Sequence, residues 1–419
     1  MRSLFMPNRA AVIATQNQLL EWLRDVALTV WDEHGVDRST GGYFEELAFI
    51  EQQRAYEASG AVRRGRVVAR QIFVFDVARR LGWQSSMGNP VAHGGDYLFS
   101  RLHRGDGYFH TAVDATTHRA QKSFNLYEQA FYLFALARLN ATLGSRYPVV
   151  DTAVQCLERL RRDYGRSEGG FEESSPPVLP LKSNPHMHLL EAALEWIGVS
   201  TGDLQQRWIE LAGEIVGLCL SRFCDPVSGA IREYFDHQWR PLAGDAGRVV
   251  EPGHQFEWAW LLLQWSSLAF CSVAERGACT LAAIRLIEIG ERWGVDPARG
   301  VAINEIWDDM SPKHATARLW PQTERVKAWC AMMERAANPA DTEHACAKIV
   351  SAAAGMSKYL RGDAPGLWYE AILENGAMEI GPSKASSFYH VVSAIDALRK
   401  AAGPRTPTVA GTDFGYAVK

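Results

Sequence analysis

The 419-residue chain lacks a long hydrophobic run, an excess of positive charge and any closely spaced cysteine pair. No segment holds the roughly 18 uncharged apolar residues of a transmembrane helix, so we expect no membrane span. The formal net charge of −4 offers no basic surface, so we expect no nucleic-acid partner. The seven cysteines form no C-x-x-C pair, which indicates reduced thiols in a cytoplasmic protein.

Two further motifs are missing, and both absences narrow the possible functions. The first residues show no apolar stretch followed by a cleavage site, so no secretory signal is expected. There is no P-loop, and no G-x-G-x-x-G lies between a strand and a helix, so we expect no nucleotide cofactor. By contrast, the chain is rich in apolar residues: it is 47% hydrophobic and 11% aromatic, which is ample for a large core.

A short motif recurs six times along the chain. In each copy a glycine is followed by aromatic or aliphatic residues, and in five copies an acidic residue follows these. Each copy is typical of a short extended segment beside a turn. The glycines are Gly42, Gly107, Gly170, Gly229, Gly300 and Gly366, at spacings of 65, 63, 59, 71 and 66 residues.

Two helical patterns lie in each repeat, which predicts twelve helices. We place them near 11–35, 58–82, 89–103, 122–144, 148–163, 184–200, 203–223, 252–274, 277–294, 320–337, 341–360 and 385–402.

Six helix pairs at a nearly constant period either stack as an open solenoid or close into a double-walled barrel. An open solenoid needs polar capping repeats at its ends, whereas the last repeat is as apolar as the others around residues 387–392. We therefore predict an all-α fold, an (α/α)6 barrel with short β-hairpins at one end. The barrel should form a single catalytic domain over 1–402, followed by a C-terminal tail over 403–419.

The most distinctive stretch reads E-P-G-H-Q-F-E-W and begins at position 251. His254 and Glu257 lie three residues apart there, on one face of a helix start. The helix that follows is apolar on all sides as far as Phe270, which predicts burial. A titratable pair at the mouth of a buried helix indicates a catalytic site, although a capping glutamate and a structural histidine would give the same spacing.

Polar or aromatic residues on the other even-numbered helices would converge on the same central cavity. Each has a structural alternative: an ion pair for the arginine, and core packing for the aromatic side chains and the last histidine. The candidates are Arg70, Tyr127, Asn184, His188, Trp320 and His390.

Within the sixth helix, the spacing separates two histidines. Asn184 and His188 are four residues apart and share a face. His186 is two residues from His188 and points away, so it more naturally packs or caps. A His-x-His pair on a helix is a poor chelate, and no cysteine or aspartate completes a metal site, so we expect no metal.

In combination, these residues resemble the N-acylglucosamine 2-epimerase family over about residues 31–401. The segments that carry the resemblance are Gly41-Gly42-Tyr43-Phe44, Arg70-Gln71, 127–131, 184–192, 251–258, 319–322 and Tyr389-His390.

The resemblance implies an (α/α)6 barrel that acts on free sugars without a metal. It implies that His254 and His390 shuttle a proton, with Glu257 as the carboxylate beside the first histidine. Arg70 is then the sugar-binding arginine and His188 the third histidine. A histidine titrates near neutral pH and can serve as base and acid in one cycle, and Glu257 could fix the tautomer of the neighbouring histidine.

Proton return to C1 gives aldose–ketose isomerisation, whereas return to the other face of C2 gives epimerisation. The disaccharide-epimerising branch has a tryptophan five residues before the last histidine, where this chain has Ala385. We therefore expect an isomerase of a small-molecule, mannose-type monosaccharide, with a 2-epimerase of N-acylglucosamine, N-acylmannosamine, mannose or glucose as the alternative. We expect a monomer or a homodimer.

Two more distant alternatives belong to other classes. An α/α-barrel glycoside hydrolase would use two acids across a glycosidic bond, whereas the strong positions here are histidines. A non-catalytic sugar-binding protein would use the same histidines only as structural residues.

Overall fold

The computed structural model describes residues 7–403, and twelve long helices fill this part of the chain. Four of these helices end in wide turns, in which an N–H group donates to the carbonyl five residues back, as from His103 to Leu98. The helices are α1 over 7–35, α2 Gly65–Arg80, α3 over 90–102, α4 Leu126–Leu143, α5 Val149–Tyr164, α6 Ser183–Val199, α7 over 202–223, α8 Pro252–Ser266, α9 over 273–294, α10 Leu319–Glu334, α11 Pro339–Ser357 and α12 Ala385–Ala402.

The even-numbered helices form a closed inner wall. Each packs against the next, and α12 packs back against α2, while the odd-numbered helices lie outside them. An inner helix meets neighbours on every side, which explains why α8 buries Phe256, Trp258 and Leu262 around its circumference. The predicted (α/α)6 barrel is therefore confirmed. The predicted end of the eighth helix near 274 was wrong: α8 ends at Ser266, and Phe270 lies beyond it, 44% exposed.

Short strands occupy the end of the barrel at which the inner helices begin. They are β1 Glu46–Ile50, β2 Ala55–Ser59, β3 Val62–Arg64, β4 Ala112–Asp114, β5 Ala120–Gln121, β6 Leu181–Lys182, β7 Tyr234–Phe235, β8 Val249–Val250, β9 Val295–Asp296, β10 Val301–Ala302, β11 Glu305–Trp307, β12 Pro312–His314, β13 Ala317–Arg318, β14 Ala371–Ile372 and β15 Ser383–Lys384.

These strands join each repeat to the next one. The segment just before an inner helix pairs antiparallel with the following repeat: β3 with β4, β6 with β7, β8 with β11 and β13 with β14. A single bridge between Asn125 and Ser174 makes the corresponding link before α4. β15 pairs with β1, Lys384 opposite Glu46, and so closes the circle. Because this pairing uses backbone atoms, it fixes where each inner helix begins whatever its side chains are.

The six repeat glycines share one backbone conformation. All have positive φ, between 67° and 87°, which glycine adopts without steric strain. At Gly170 space is limiting as well, since an added Cβ would lie 2.8 Å from Nε2 of His186. That histidine is buried, accepts from the N–H of Phe171 (3.0 Å) and contacts the Lys182 carbonyl through Nδ1 (3.0 Å). It packs behind the loop, as the sequence predicted.

Residues 404–419, nearly all of the predicted tail, lie outside the described part, so the division into one domain over 1–402 and a tail stays a prediction. All seven cysteines are free thiols. Among the helices of residues 7–403, none is long and apolar enough to cross a membrane.

Candidate active site

One residue from each inner helix contributes to a ring across the barrel. Counted from the start of its helix, each is the sixth residue, and we call the set the sixth-position ring. Its members are Arg70, Phe131, His188, Glu257, Glu324 and His390.

Neighbouring members of the ring are in contact. The Arg70 guanidinium lies 4.2 Å from the centre of the Phe131 ring, and the rings of Phe131 and His188 are 4.5 Å apart. Glu257 has a carboxylate oxygen within 4.8 Å of an imidazole nitrogen of His188, and it stands equally close to Glu324 and His390. Five of the six side chains are polar, although all six are buried. The repeat therefore places a concentrated polar layer inside an apolar barrel.

One turn nearer the strand end lies a second layer, which contains Tyr127, Asn184 and Trp320. The Tyr127 hydroxyl accepts a hydrogen bond from Nη2 of Arg70 (2.9 Å). The Trp320 ring lies 5.0 Å from the ring of His254 and 6.0 Å from that of His390. The structure thus brings the two predicted proton carriers to a single indole.

Gly253 makes this arrangement possible. A Cβ at this position would lie 2.4 Å from Cη2 of Trp320, closer than atoms pack. The Pro-Gly pair before His254 therefore begins the helix and also lets Trp320 approach its first turn.

His254 is held by an acid that the sequence reasoning did not choose. Its Nδ1 donates to Oε2 of Glu233 (2.9 Å) and lies 3.8 Å from Oε2 of Glu251. Burial opposes protonation, but these carboxylates outweigh it and raise the pKa of His254 to about 10. The tautomer-fixing role assigned to Glu257 was wrong in this respect: Nδ1 faces Glu233, which directly precedes β7, while Glu257 lies one turn deeper.

His390 has the opposite electrostatic character. Its Nδ1 donates to Oε1 of Glu324 (2.8 Å), and Oε2 of that carboxylate lies 2.6 Å from Nζ of Lys327. Burial lowers the pKa of His390 to about 4 despite the carboxylate, and Arg70 and Lys327 act in the same direction. Although burial opposes its ionisation, Glu324 stays charged, because Lys327 and His390 lower its pKa to about 2. At neutral pH His390 is a neutral imidazole and His254 an imidazolium.

His188 is oriented in the same manner as the other two histidines. Its Nδ1 donates to Oε2 of Glu191 (3.0 Å), whose other oxygen accepts from the Tyr389 hydroxyl. Burial lowers the pKa of His188, so it is a neutral imidazole as well. Tyr127 stands edge-on to its ring at 5.0 Å.

Oε1 of Glu257 is buried without a hydrogen-bond partner. Burial, together with the adjacent Glu324 carboxylate, raises the pKa of Glu257 well above its ordinary value. A neutral carboxylic acid both donates and accepts, so Glu257 can bind a hydroxyl group. Oδ1 of Asn184 is likewise buried and has no hydrogen-bond partner, and it lies one turn nearer the strands than the sixth-position ring.

Three groups of imidazole and carboxylate atoms are close enough together to hold a metal ion, and two of them share Glu257. Nδ1 of each histidine in these groups already donates to a carboxylate. The Lys327 ammonium also supplies the positive charge that the carboxylates need. These contacts orient the histidines and balance the charge of the carboxylates, and the absence of a metal stays a prediction.

A closed α/α barrel with histidine–carboxylate pairs at its centre belongs to the class of carbohydrate isomerases and epimerases. The model of the N-acylglucosamine 2-epimerase (GlcNAc 2-epimerase) family matches residues 26–394, so the chain belongs to that family.

Individual relatives agree with this membership. The chain is 40% identical over 386 residues to the mannose-6-phosphate isomerase of Rhizobium meliloti (strain 1021), covering 90% of this chain and 95% of the relative. Cellobiose 2-epimerase from Spirochaeta thermophila DSM 6192 has a TM-score of 0.80 at 20% identity, over 96% of this chain and 99% of that one. A D-mannose isomerase has a TM-score of 0.74 at 18% identity, over 96% and 100%. At these identities, the two structures show a shared fold.

Proposed function

We propose that this enzyme interconverts a free mannose-type aldose and its ketose by histidine-mediated proton transfer through a cis-enediolate. The observation that carries the proposal is a pair of buried histidines, one neutral and one protonated, beside the same indole, that of Trp320. Two of the similar proteins, a mannose-6-phosphate isomerase and a D-mannose isomerase, support the aldose–ketose outcome.

The protonation states assign the two roles. His390 donates from Nδ1 to Glu324, so its neutral imidazole offers Nε2 as the base that removes the proton from C2. His254, as an imidazolium, donates to the sugar carbonyl oxygen, where negative charge develops. Environments that push two pKa values apart are the usual basis of acid and base assignments in one site. Each well-placed proton-transfer group contributes roughly 10²–10⁴-fold to the rate.

The remaining predicted residues would bind the sugar hydroxyls. Arg70 is held by Tyr127 and stacked on Phe131, so its guanidinium is fixed before the substrate arrives. Asn184 and Glu257 each have a buried oxygen without a partner, which a hydroxyl group would satisfy. Trp320 and His188 complete the wall.

A 2-epimerase is the second candidate, and one observation favours it. Inversion at C2 needs a base on one face of the carbon and an acid on the other, and a neutral and a protonated histidine provide this combination. The family name and the cellobiose 2-epimerase fold are consistent with this outcome.

Proton NMR in D2O separates these outcomes. Mannose, glucose, fructose, N-acetylmannosamine and mannose 6-phosphate are incubated singly with the enzyme. Isomerisation predicts ketose signals from mannose, whereas epimerisation predicts the C2-epimeric aldose with deuterium at C2. Release of reducing ends from an oligosaccharide would indicate the hydrolase alternative instead.

Variants of the two histidines test the site. His254→Ala and His390→Ala should each reduce turnover at least 100-fold while the melting temperature and circular dichroism stay close to wild type. Near-normal turnover in either variant would remove the proposed role. Sugar binding by calorimetry without conversion in the wild type would favour a binding protein.

We further propose a cytoplasmic enzyme without a nucleotide cofactor, acting as a monomer or homodimer. Seven free thiols, six of them buried, support the reducing compartment.

A further inference from the structure

A third layer lies directly beneath the sixth-position ring. It is formed by the ninth residue of each inner helix, and within the described chain its one cationic member is Lys327. The layer comprises Phe73, Phe134, Glu191, Trp260, Lys327 and Ser393.

The Lys327 ammonium is fixed on two sides. Nζ lies 2.6 Å from Oε2 of Glu324 and 3.9 Å from the centre of the Trp260 ring. The side chain is fully buried, so no water competes for either contact. The other oxygen of the Glu324 carboxylate, Oε1, accepts from Nδ1 of His390. The three side chains Lys327, Glu324 and His390 therefore form a single chain of contacts.

A buried lysine remains charged only where carboxylates compensate for its lost hydration. Glu324 and Glu191 do so here from two inner helices, and the surrounding acids together outweigh burial and raise the pKa of Lys327. Glu257 stands within 4.8 Å of Glu324, and this negative neighbour helps to keep Glu257 in its neutral form.

Resting on the proposed function, we propose that Lys327 is a positioning residue of the reaction. From the layer beneath the ring, its ammonium group holds the Glu324 carboxylate in place and balances its charge, so that His390 meets the sugar as a neutral base. Lys327 lies one layer below the sixth-position ring, and it acts on His390 through Glu324.

The sign of the expected pH effect follows from the groups that face His390. Glu324 favours the imidazolium, whereas Arg70 and Lys327 disfavour it. When Lys327 is neutralised, the charge of Glu324 is uncompensated, and the pair of Glu324 and His390 takes up a proton at a higher pH. The base is then blocked over a wider acidic range.

The test uses Lys327→Met, which keeps the length of the side chain and removes its charge. We expect the acid limb of the kcat/KM profile to move up by at least one pH unit, which gives at least a tenfold loss at the foot of the limb. Activity should recover to within about threefold of wild type on the alkaline side, with KM changed less than about threefold. Lys327→Gln, also neutral, carries the same expectation should Lys327→Met not fold, and Lys327→Arg should restore the limb.

Lys348→Met is the matched control. Lys348 also pairs with a glutamate, here a half-buried one, Nζ lying 2.9 Å from Oε2 of Glu291, and its ammonium group also lies over a tryptophan, 5.7 Å from the centre of Trp329. This pair lies on the outer side of the barrel, so its removal should leave the pH profile unchanged.

A direct titration distinguishes failure of this proposal from failure of the proposed function. The His390 imidazole is followed by NMR in histidine-labelled enzyme, with His390→Ala assigning its signal. A titration midpoint at least one pH unit higher in Lys327→Met supports the proposal even if no sugar of the panel reacts. An unchanged midpoint, or kcat/KM lowered by one factor at every pH, would show that Lys327 only fills space and would overturn it.

Discussion

Glu233→Gln is the sharpest test of the acid side of the mechanism. His254 has a pKa of about 10 against 6.5 for an ordinary histidine, a preference for the protonated form of about 5 kcal/mol. A hydrogen bond to a charged group contributes roughly 1.5–3 kcal/mol, so loss of the Glu233 charge should lower that pKa by about 1–2. His254 would then titrate at about 8.5, because Glu251 still favours its imidazolium.

The direction of the pH effect follows from the proposed role of His254 as the acid. An acid works only while protonated, so activity is lost as the pH rises through its pKa. The variant should therefore lose activity at a lower pH than wild type. At pH 9.5 the protonated fraction should fall about eightfold relative to wild type, and at pH 7 it should change by only a few per cent.

The assay is the pH profile of kcat/KM for aldose-to-ketose conversion, corrected for the uncatalysed reaction in alkali. Glu173→Gln is the control, since Glu173 is the equivalent acid of the third repeat and bonds the Lys182 N–H without a histidine nearby. An alkaline limb that is identical in Glu233→Gln and wild type would refute the assignment of His254 as the acid.

Three further outcomes follow from the same geometry. Glu257→Gln, which mimics a neutral acid, should keep kcat within about tenfold of wild type, whereas Glu324→Gln should lose about 10²-fold or more because the base loses its carboxylate; equal losses would contradict the different charges assigned to them. Gly253→Ala should raise KM at least tenfold, because the added Cβ displaces the Trp320 indole, and it should make tryptophan fluorescence easier to quench. An unchanged KM would show that the indole can shift freely. Below pH 6.5, the folded protein should lose stability because neutral His390 takes up its proton only near pH 4, whereas an unfolded chain takes it up near 6.5; denaturation of His390→Gln from pH 7 to 4 should show a smaller loss than wild type.

The fold was predictable because the sequence states it six times. The repeat glycines mark the loops, and all six adopt the positive φ that such loops require. Helix ends were less predictable: the pattern near 58–82 predicted a helix that begins seven residues too early, because 55–64 also alternates suitably for the strands β2 and β3. Periodicity alone does not separate the two at a strand–helix junction.

The sequence indicated the histidines of the candidate site but not the carboxylates that bind them. Glu233 is the acid of the fourth repeat motif, so its position was visible, but nothing in the spacing showed that it faces His254. Glu324 is 66 residues from His390 and meets it only because adjacent inner helices lie side by side. Aligning the six inner helices at their first residues would have revealed the sixth-position ring, whereas a single helix does not show which of its residues shares a layer with the other five helices.

The strand circle and the sixth-position ring use different atoms, and this has an evolutionary consequence. The circle is made by backbone hydrogen bonds, and the ring by one side chain from each repeat. A substitution at a ring position therefore alters one sector of the proposed sugar site without touching the bonds that hold the repeats together. Such an architecture lets a duplicated gene acquire a new sugar specificity through single substitutions, each in a different repeat, while the backbone bonds of the barrel stay in place.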